Sequence, residues 1–203
     1  DEKGESLWYR NTKDEEGNVV GRETTKTYAD ADYYVTEESS IPKVYGGFGT
    51  KLKVYGVDFG INFTYQIGGK QYDGTYAYFM SSPSGTAGYN YHKDLLKSWT
   101  PENTGSNIPR FQLNDQYSAA ASTRFLTNAS FLNIQNINVG YTLPSRWTKK
   151  MAISSLRLYM SAENVFYWSK RQGFDPRQSY NETTNATYYS PMRTISGGVT
   201  FEF

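Results

Sequence analysis

The sequence has no cysteine, a single histidine and no long apolar run. The lack of cysteine excludes a disulfide framework, a thiolate metal site and a cysteine nucleophile. No stretch of about 18 apolar residues occurs, which excludes a bundle of membrane helices. The mean hydropathy of −0.69 agrees with that exclusion. The net charge of +1 gives no reason to expect a nucleic-acid partner.

His92 is the one histidine, and it leaves little room for histidine-based metal or acid–base chemistry. It lies beside Asp94, with several serines about ten residues away, but serines are common in this chain and such proximity carries little meaning. We therefore expect no catalytic residue, no metal site and no cofactor, and we do not expect an enzyme.

Aromatic residues are abundant, at 17% of the chain, whereas hydrophobic residues in total make up only 37%. A membrane-spanning β-strand alternates lipid-facing apolar residues with lumen-facing polar ones, so its average hydropathy resembles that of a soluble protein. Such barrels also place aromatic girdles at both membrane interfaces. The composition is therefore compatible with a transmembrane β-barrel.

The clearest local pattern is the alternation of apolar and polar residues in VDFGINFTYQI, residues 57–67. This strict period of two predicts a strand of about the length that crosses a bilayer at a tilt. Weaker alternation predicts five further strands, near residues 5–11, 42–54, 131–141, 155–166 and 194–203. Tyr55-Gly56 predicts a tight hairpin turn, and a change of parity near Gln135-Asn136 predicts a bulge.

The predicted connections alternate between long and shorter ones. Long connections fall at about 12–41, 68–130 and 167–193, and the shorter ones lie between them. Outer-membrane barrels have short periplasmic turns and longer extracellular loops, so this alternation predicts a periplasmic C-terminus and extracellular long loops. A short helix is expected near Tyr91–Trp99, inside the longest connection.

Six strands are too few for a membrane barrel, since the smallest known has about eight. Open strand edges in lipid would leave backbone groups without hydrogen bonds. We therefore expect this chain to be part of a barrel that is completed by upstream residues or by another chain. The predicted fold class is all-β, an antiparallel transmembrane β-barrel segment of about six C-terminal strands.

Four stretches of the sequence, taken in order, resemble the C-terminal barrel region of SusC/RagA-type TonB-dependent outer-membrane transporters of Bacteroidetes. These stretches are IPKVYGGFGTKLKVYGVDFGINFTYQIGGKQYD, SWTPENTGSNIPR, ASFLNIQNINVGYTLPSRW and ISSLRLYMSAENVFYWSKRQGFDPR. The chain end also resembles the signal that the barrel-assembly machinery reads, with Phe201 and Phe203 as its aromatic residues.

The resemblance implies a barrel of about 22 strands with a plugged lumen. It implies import of oligosaccharides or peptides, energised by TonB, and a SusD-like surface lipoprotein that covers the barrel. The plug domain and the TonB box of the family are expected to lie outside this chain. The expected partners are therefore the rest of the barrel and plug, the lipoprotein, TonB, the assembly machinery and the substrate.

Two groups of side chains are candidates for function. The first group is predicted to face the lumen, where it contacts the plug or forms a hydrogen-bonded network: Asp58, Asn62, Gln66, Arg157 and Glu163. The second group lies in the longest connection and is a candidate for ligand or lid contact: Tyr76, Tyr78, Tyr89, Tyr91 and Trp99. Loop packing is the alternative for this second group, because aromatic rings pack wherever they find area.

A different class of protein also fits part of the sequence. A secreted all-β carbohydrate-binding module with an exposed aromatic platform would explain the tyrosine content and the alternation. It would explain neither the alternation of connection lengths nor the terminal Phe203. Solubility without detergent distinguishes the two hypotheses.

Overall fold

The computed structural model describes residues 1–81, 90–113, 115, 117–118, 120–178, 183–184 and 189–203. Contacts divide the chain into two units. The first consists of Asp1–Glu37 with Gly74–Phe125, and the second of Glu38–Asp73 with Leu126–Phe203. Among the described residues, no helix has both the length and the apolar character needed to cross a membrane.

The regular elements are mostly strands. The strands are β1 Trp8–Lys13, β2 Val19–Thr25, β3 Val44–Val54, β4 Val57–Ile67, β5 Lys70–Asp73, β6 Leu126–Asn128, β7 Phe131–Thr142, β8 Ser155–Ser169, β9 Thr183–Thr184 and β10 Thr194–Glu202. The α-helices are α1 Gly74–Phe79 and α2 Ser145–Thr148. Short 3-10 helices cover Tyr28–Asp30, Lys93–Lys97, Thr123–Phe125 and Lys149–Met151.

The second unit is built on a five-stranded sheet with the order β10-β8-β7-β4-β3. Every neighbouring pair in this sheet is antiparallel. The predicted antiparallel all-β class is therefore confirmed, as are the strands predicted near 42–54, 57–67, 131–141, 155–166 and 194–203. β8 continues to Ser169, beyond the predicted end at residue 166.

The turn between β3 and β4 has the geometry that a two-residue hairpin requires. Tyr55 has a φ of 50° and Gly56 a φ of 86°. Type I′ turns need positive φ at both central residues, because their twist then matches that of the strands. Val54 accordingly pairs with Val57, and the predicted hairpin is confirmed.

The predicted bulge is also present in β7. Asn62 of β4 pairs with Asn136, but the next residue, Phe63, pairs with Ile134, so that Gln135 has no partner on β4. The extra residue shifts the register by one and keeps Ile134 and Ile137 on the same face.

The two ends of the five-stranded sheet differ in their connections. At one end, the Thr142 N–H donates to the Gly56 carbonyl and the Ser154 N–H to the Glu202 carbonyl, each at 2.7 Å. This end collects both short connections and the chain terminus. β4 ends at Ile67 and β7 begins at Phe131 at the other end, where the long connections leave the sheet. The side of the membrane that each end faces stays a prediction.

The strand predicted near residues 5–11 is found as β1, but it does not join the five-stranded sheet. It pairs with β2 in a separate two-stranded sheet of the first unit, so the main sheet has five strands where six were predicted. The reason is the turn between them, where the Asp14 carboxylate accepts the N–H groups of Glu16 at 3.0 Å and Asn18 at 2.8 Å. The chain reverses direction at this turn, and the backbone N–H and C=O groups of β1 form hydrogen bonds with β2 of the same hairpin.

A third sheet, with the order β6-β5-β9, completes the second unit. β5 pairs antiparallel with β6 and parallel with β9. The connections predicted at 68–130 and 167–193 therefore contain regular structure of their own. The predicted short helix near Tyr91–Trp99 is present as the 3-10 helix Lys93–Lys97.

Candidate functional site

One face of the five-stranded sheet is apolar on every strand. Strand register places these side chains in continuous rows, for example Leu52, Phe59, Val139 and Met160. Many of them are exposed, including Val44, Phe48, Leu52, Val54, Val57, Val139, Leu158, Met160, Phe166, Trp168, Ile195, Val199 and Phe201. An exposed apolar surface of this extent marks contact with a partner or with membrane.

The opposite face is polar, and an ion pair crosses it. Arg157 of β8 donates to Asp58 of β4 through Nε at 3.0 Å and through a terminal nitrogen at 2.6 Å. β7 lies between these two strands, with Gly140 under the pair. A Cβ on Gly140 would lie 2.5 Å from an Asp58 carboxylate oxygen. Glycine at this position therefore leaves the space in which the two side chains meet.

The predicted lumen-facing residues all lie on this polar face. Asn62 pairs with Asn136, which in turn pairs with Glu163. The predicted residues Asn62 and Glu163 therefore lie in one row across the sheet. The Gln66 side-chain amide donates to the Ala129 carbonyl at 3.3 Å. The structure thus brings the five residues onto one surface, and its exposure to a barrel lumen remains a prediction.

A buried asparagine on β7 is the centre of a polar network on the same face. Asn133 is only 1% exposed. Its amide nitrogen donates to Thr64 Oγ1 at 3.2 Å and to Gln135 Oε1 at 2.8 Å. Its amide oxygen accepts a hydrogen bond from Arg177 at 2.7 Å. This network attaches the segment that follows β8 to the sheet.

Arg177 reaches Asn133 because Asp175 and Tyr167 hold its side chain. The guanidinium donates to the Asp175 carboxylate at 2.9 and 2.8 Å and lies 4.2 Å from the centroid of the Tyr167 ring. Asp175 is 2% exposed. Burial of the carboxyl by itself raises the pKa of Asp175, but hydrogen bonds from Arg177 outweigh burial and the pKa lies below its usual value.

Sequence reasoning missed this cluster. The signal that could have found it is the charged pair that brackets proline in FDPR, residues 174–177.

Tyr76, one of the predicted contact residues, is half-buried and packs within the first unit. Its hydroxyl donates to Asp94 at 3.0 Å, and its ring meets His92 and Phe125 edge-on, with centroids 4.7 and 6.1 Å away. These contacts favour a packing role for Tyr76. Tyr89, another predicted contact residue, lies outside the described residues.

The other predicted aromatics differ in exposure. Tyr78 is 56% exposed, and Tyr91 is partly exposed with its ring edge-on to Phe111 at 5.4 Å. Trp99 covers Gly4 so closely that a Cβ there would lie 2.5 Å from the indole. Tyr78 and Tyr91 are therefore the members of this group that present most area to a ligand or partner.

His92 has a structural contact that accounts for its place beside Asp94. Its Nδ1 accepts the Asp94 N–H at 3.1 Å and caps the 3-10 helix Lys93–Lys97. In the described ranges, no cluster of three or more His, Cys, Asp or Glu residues is arranged to hold a metal ion.

Comparison with known sequences finds two bacterial receptors. No family model matches the chain. The chain is 26% identical over 167 residues to the TonB-dependent receptor P3 of Formosa agariphila, a match that covers 77% of this chain and 16% of the receptor. It is 23% identical over 179 residues to the TonB-dependent receptor P26 of the same organism, covering 81% and 17%.

Comparison with solved structures finds the same fold in a peptide transporter. The structure of the RagAB peptide transporter matches 100% of this chain and 22% of the solved chain, with a TM-score of 0.77 and 26% identity. This chain is similar to a barrel segment of a SusC/RagA-type TonB-dependent transporter. The RagAB importer in its closed-closed state matches 97% of this chain, with a TM-score of 0.73 and 28% identity. The open-open state, at 24% identity and a TM-score of 0.74, shows the same fold.

The segment spans only a small part of these relatives. It covers 16% and 17% of the two receptors and 21–22% of the solved chains. What the similarity shows is the barrel fold of this segment and its likeness to TonB-dependent receptors.

Proposed function

We propose that this chain forms part of the wall and the extracellular loops of a TonB-dependent importer in a bacterial outer membrane. The observation that carries the proposal is the contrast between the two faces of the five-stranded sheet. The exposed apolar face suits lipid, and the hydrogen-bonded polar face suits a water-filled or plugged lumen. In this arrangement Asp58, Asn62, Gln66, Arg157 and Glu163 line the lumen and contact the plug.

The outer strands of the sheet support a larger barrel. β3 and β10 each have one neighbour among the described strands, so that each leaves one backbone edge open. An open edge in lipid costs several kcal/mol per unsatisfied group. The remaining strands of the barrel satisfy these edges, and the plug that they surround couples to TonB.

The orientation follows from the two ends of the sheet. The end with the short connections and Phe203 faces the periplasm, and the long connections face outward. Phe201 and Phe203 serve the assembly machinery on the periplasmic side. Tyr78 and Tyr91, on the outward connection, contact a SusD-like lipoprotein or the incoming substrate.

The substrate is an oligosaccharide or a peptide. A peptide substrate is supported by the RagAB peptide transporter, which shares the fold of this chain at 26% identity. The aromatic side chains of the long connection support either substrate, since tyrosine offers both an apolar ring and a hydroxyl.

Uptake by cells that carry the complete transporter tests the proposal. We expect the protein in the outer-membrane fraction, soluble only with detergent, and import of labelled oligosaccharide or peptide that stops when TonB is removed. Tyr78→Ala together with Tyr91→Ala should lower uptake or lipoprotein retention. Tyr33→Ala is the matched control, because Tyr33 is a highly exposed tyrosine outside this connection. A protein that is soluble without detergent and binds glycan would instead support the carbohydrate-binding module.

A further inference from the structure

The first unit contains a cavity of about 400 Å³, and Trp99, one of the predicted ligand or lid contacts, forms part of its lining. This volume lies within the range of small-molecule sites, roughly 300–1,000 Å³. Its apolar lining includes Trp99, Ile108 and Leu7, and its polar lining includes Asn107, Thr123 and Arg124. Such a mixture suits a ligand with an apolar body and a polar group.

The acidic residues at the cavity are already neutralised. The Glu5 carboxylate lies 2.5 Å from Lys26 Nζ and 2.9 Å from the Arg110 guanidinium. Asp1 lies 2.7 Å from the same Lys26 nitrogen. The hydrogen bond from Lys26 is the main cause that lowers the pKa of Glu5. These acids therefore leave little negative charge free to repel an anionic ligand.

Arg124 is different, because in the described part of the chain no acid lies within ion-pair distance of it. The 3-10 helix Thr123–Phe125 places it, and its guanidinium lies 5.7 Å from the ring of the buried Phe125. Arg124 is an exposed residue, but the protein around its guanidinium removes part of its water and thereby lowers the pKa of Arg124. A charge-assisted hydrogen bond to a carboxylate would compensate the guanidinium for the water that it has lost.

We propose that this cavity binds a carboxylate, with Arg124 as its counter-ion and the hydroxyl of Thr123 and the amide of Asn107 as neighbouring donors. This inference rests on the proposed function and narrows its substrate to an acidic one. The carboxylate can belong to a short peptide or to a uronic-acid sugar, and the chemistry of recognition is the same for both. Trp99 and Ile108 then contact the apolar body of the ligand.

Binding to the complete, detergent-purified transporter tests the proposal by calorimetry. The probes are an acetylated tripeptide with a free C-terminal carboxylate, its C-terminal amide, trigalacturonate and its methyl ester. We expect at least one charged probe to bind about 10-fold more tightly than its neutral form, and more weakly as salt rises. A preference for the peptide acid indicates a peptide substrate, and a preference for trigalacturonate indicates an acidic glycan.

Variants at the cavity assign the effect to Arg124. Arg124→Gln should abolish the preference for charge, and Arg124→Lys should retain part of it. Arg22→Gln is the matched control, because Arg22 lies in the same unit, stacks on Tyr34 and does not line the cavity. Wild-type protein that binds charged and neutral probes equally overturns the inference without any variant. Retention of the preference by Arg124→Gln overturns it as well.

Uptake by cells that carry the complete transporter distinguishes failure of this inference from failure of the proposed function. TonB-dependent import with no preference for carboxylates overturns the inference alone. Carboxylate binding by a protein that imports nothing leaves the site in place and overturns the proposed function.

Discussion

Replacing Arg177 with methionine should destabilise the segment that follows β8. The change removes two hydrogen bonds to Asp175, at 2.9 and 2.8 Å, and one to Asn133, at 2.7 Å. Asp175 stays buried, at 2% exposure, and keeps the N–H of residue 177 as a donor at 3.0 Å. Removing one partner of a buried ion pair costs about 3–5 kcal/mol. Because the N–H of residue 177 and the Ser190 side chain still donate to Asp175, we expect the lower end, about 3 kcal/mol.

Hydrogen exchange of the complete transporter measures this local cost. A loss of about 3 kcal/mol corresponds to exchange roughly 100-fold faster, since about 1.4 kcal/mol is a factor of ten. The amides to follow are those of Phe174 and Gln178, which donate to carbonyls within the segment at 3.2 Å. Arg146→Met is the matched control, because Arg146 is an exposed arginine that stacks near Trp147 and has no ion pair within the described residues.

Two further measurements test the electrostatic cause. Asp175→Asn combined with Arg177→Met should recover part of the protection, because no unpaired charge remains buried. In the wild type the pair's contribution is present above the ordinary carboxyl value of 3.8 and is lost only as pH falls through the lowered pKa of Asp175. In Arg177→Met, burial still raises the pKa of Asp175, and only the N–H of residue 177 and the Ser190 side chain oppose it, so this pKa is higher than in the wild type. The excess exchange, corrected for intrinsic rates, should therefore shrink as the pH is lowered. Unchanged exchange in Arg177→Met would refute the reasoning.

Three further predictions concern the membrane. Ile61→Lys should lower the stability of the barrel by about 2–4 kcal/mol in a denaturant titration, and Asn62→Lys by much less; equal tolerance would argue against a lipid-facing wall. Deleting Phe203 should reduce the amount of transporter in the outer membrane on immunoblots, and an unchanged amount would remove its role in assembly. A cysteine at Glu102 should react with a membrane-impermeant maleimide on intact cells and one at Ser145 should not; the reverse pattern would invert the proposed orientation.

Local patterns predicted most of the five-stranded sheet. Alternation with a period of two follows directly from strand geometry, so residues 57–67 could be recognised without knowing their neighbours. Tyr55-Gly56 indicated the hairpin because only these two residues separate two alternating stretches, a length that requires a tight turn. The bulge at Gln135 was visible because a one-residue insertion reverses the parity of the apolar residues around it.

The sequence predicted individual strands better than it predicted which strands pair with each other. The strand near residues 5–11 was predicted, but its partner Val19–Thr25 was not, since VVGRETT alternates poorly and contains Gly21. The Asp14 turn that joins the two was present in the sequence as DEEGN. A strand's own sequence specifies its faces but leaves open which of several edges it will join.

Contacts between distant residues were decided only by the tertiary structure. Asp58 and Arg157 are 99 residues apart, and their hydrogen bonds depend on the absence of a side chain on Gly140 of the strand between them. Asn133 could be placed on a strand by its sequence, but its burial depends on Arg177, 44 residues further on. The sequence determined the strands, turns and faces because these depend on neighbouring residues. The ion pairs, the buried network and the cavity beside Arg124 arise from register and packing, which bring together residues that no local pattern connects.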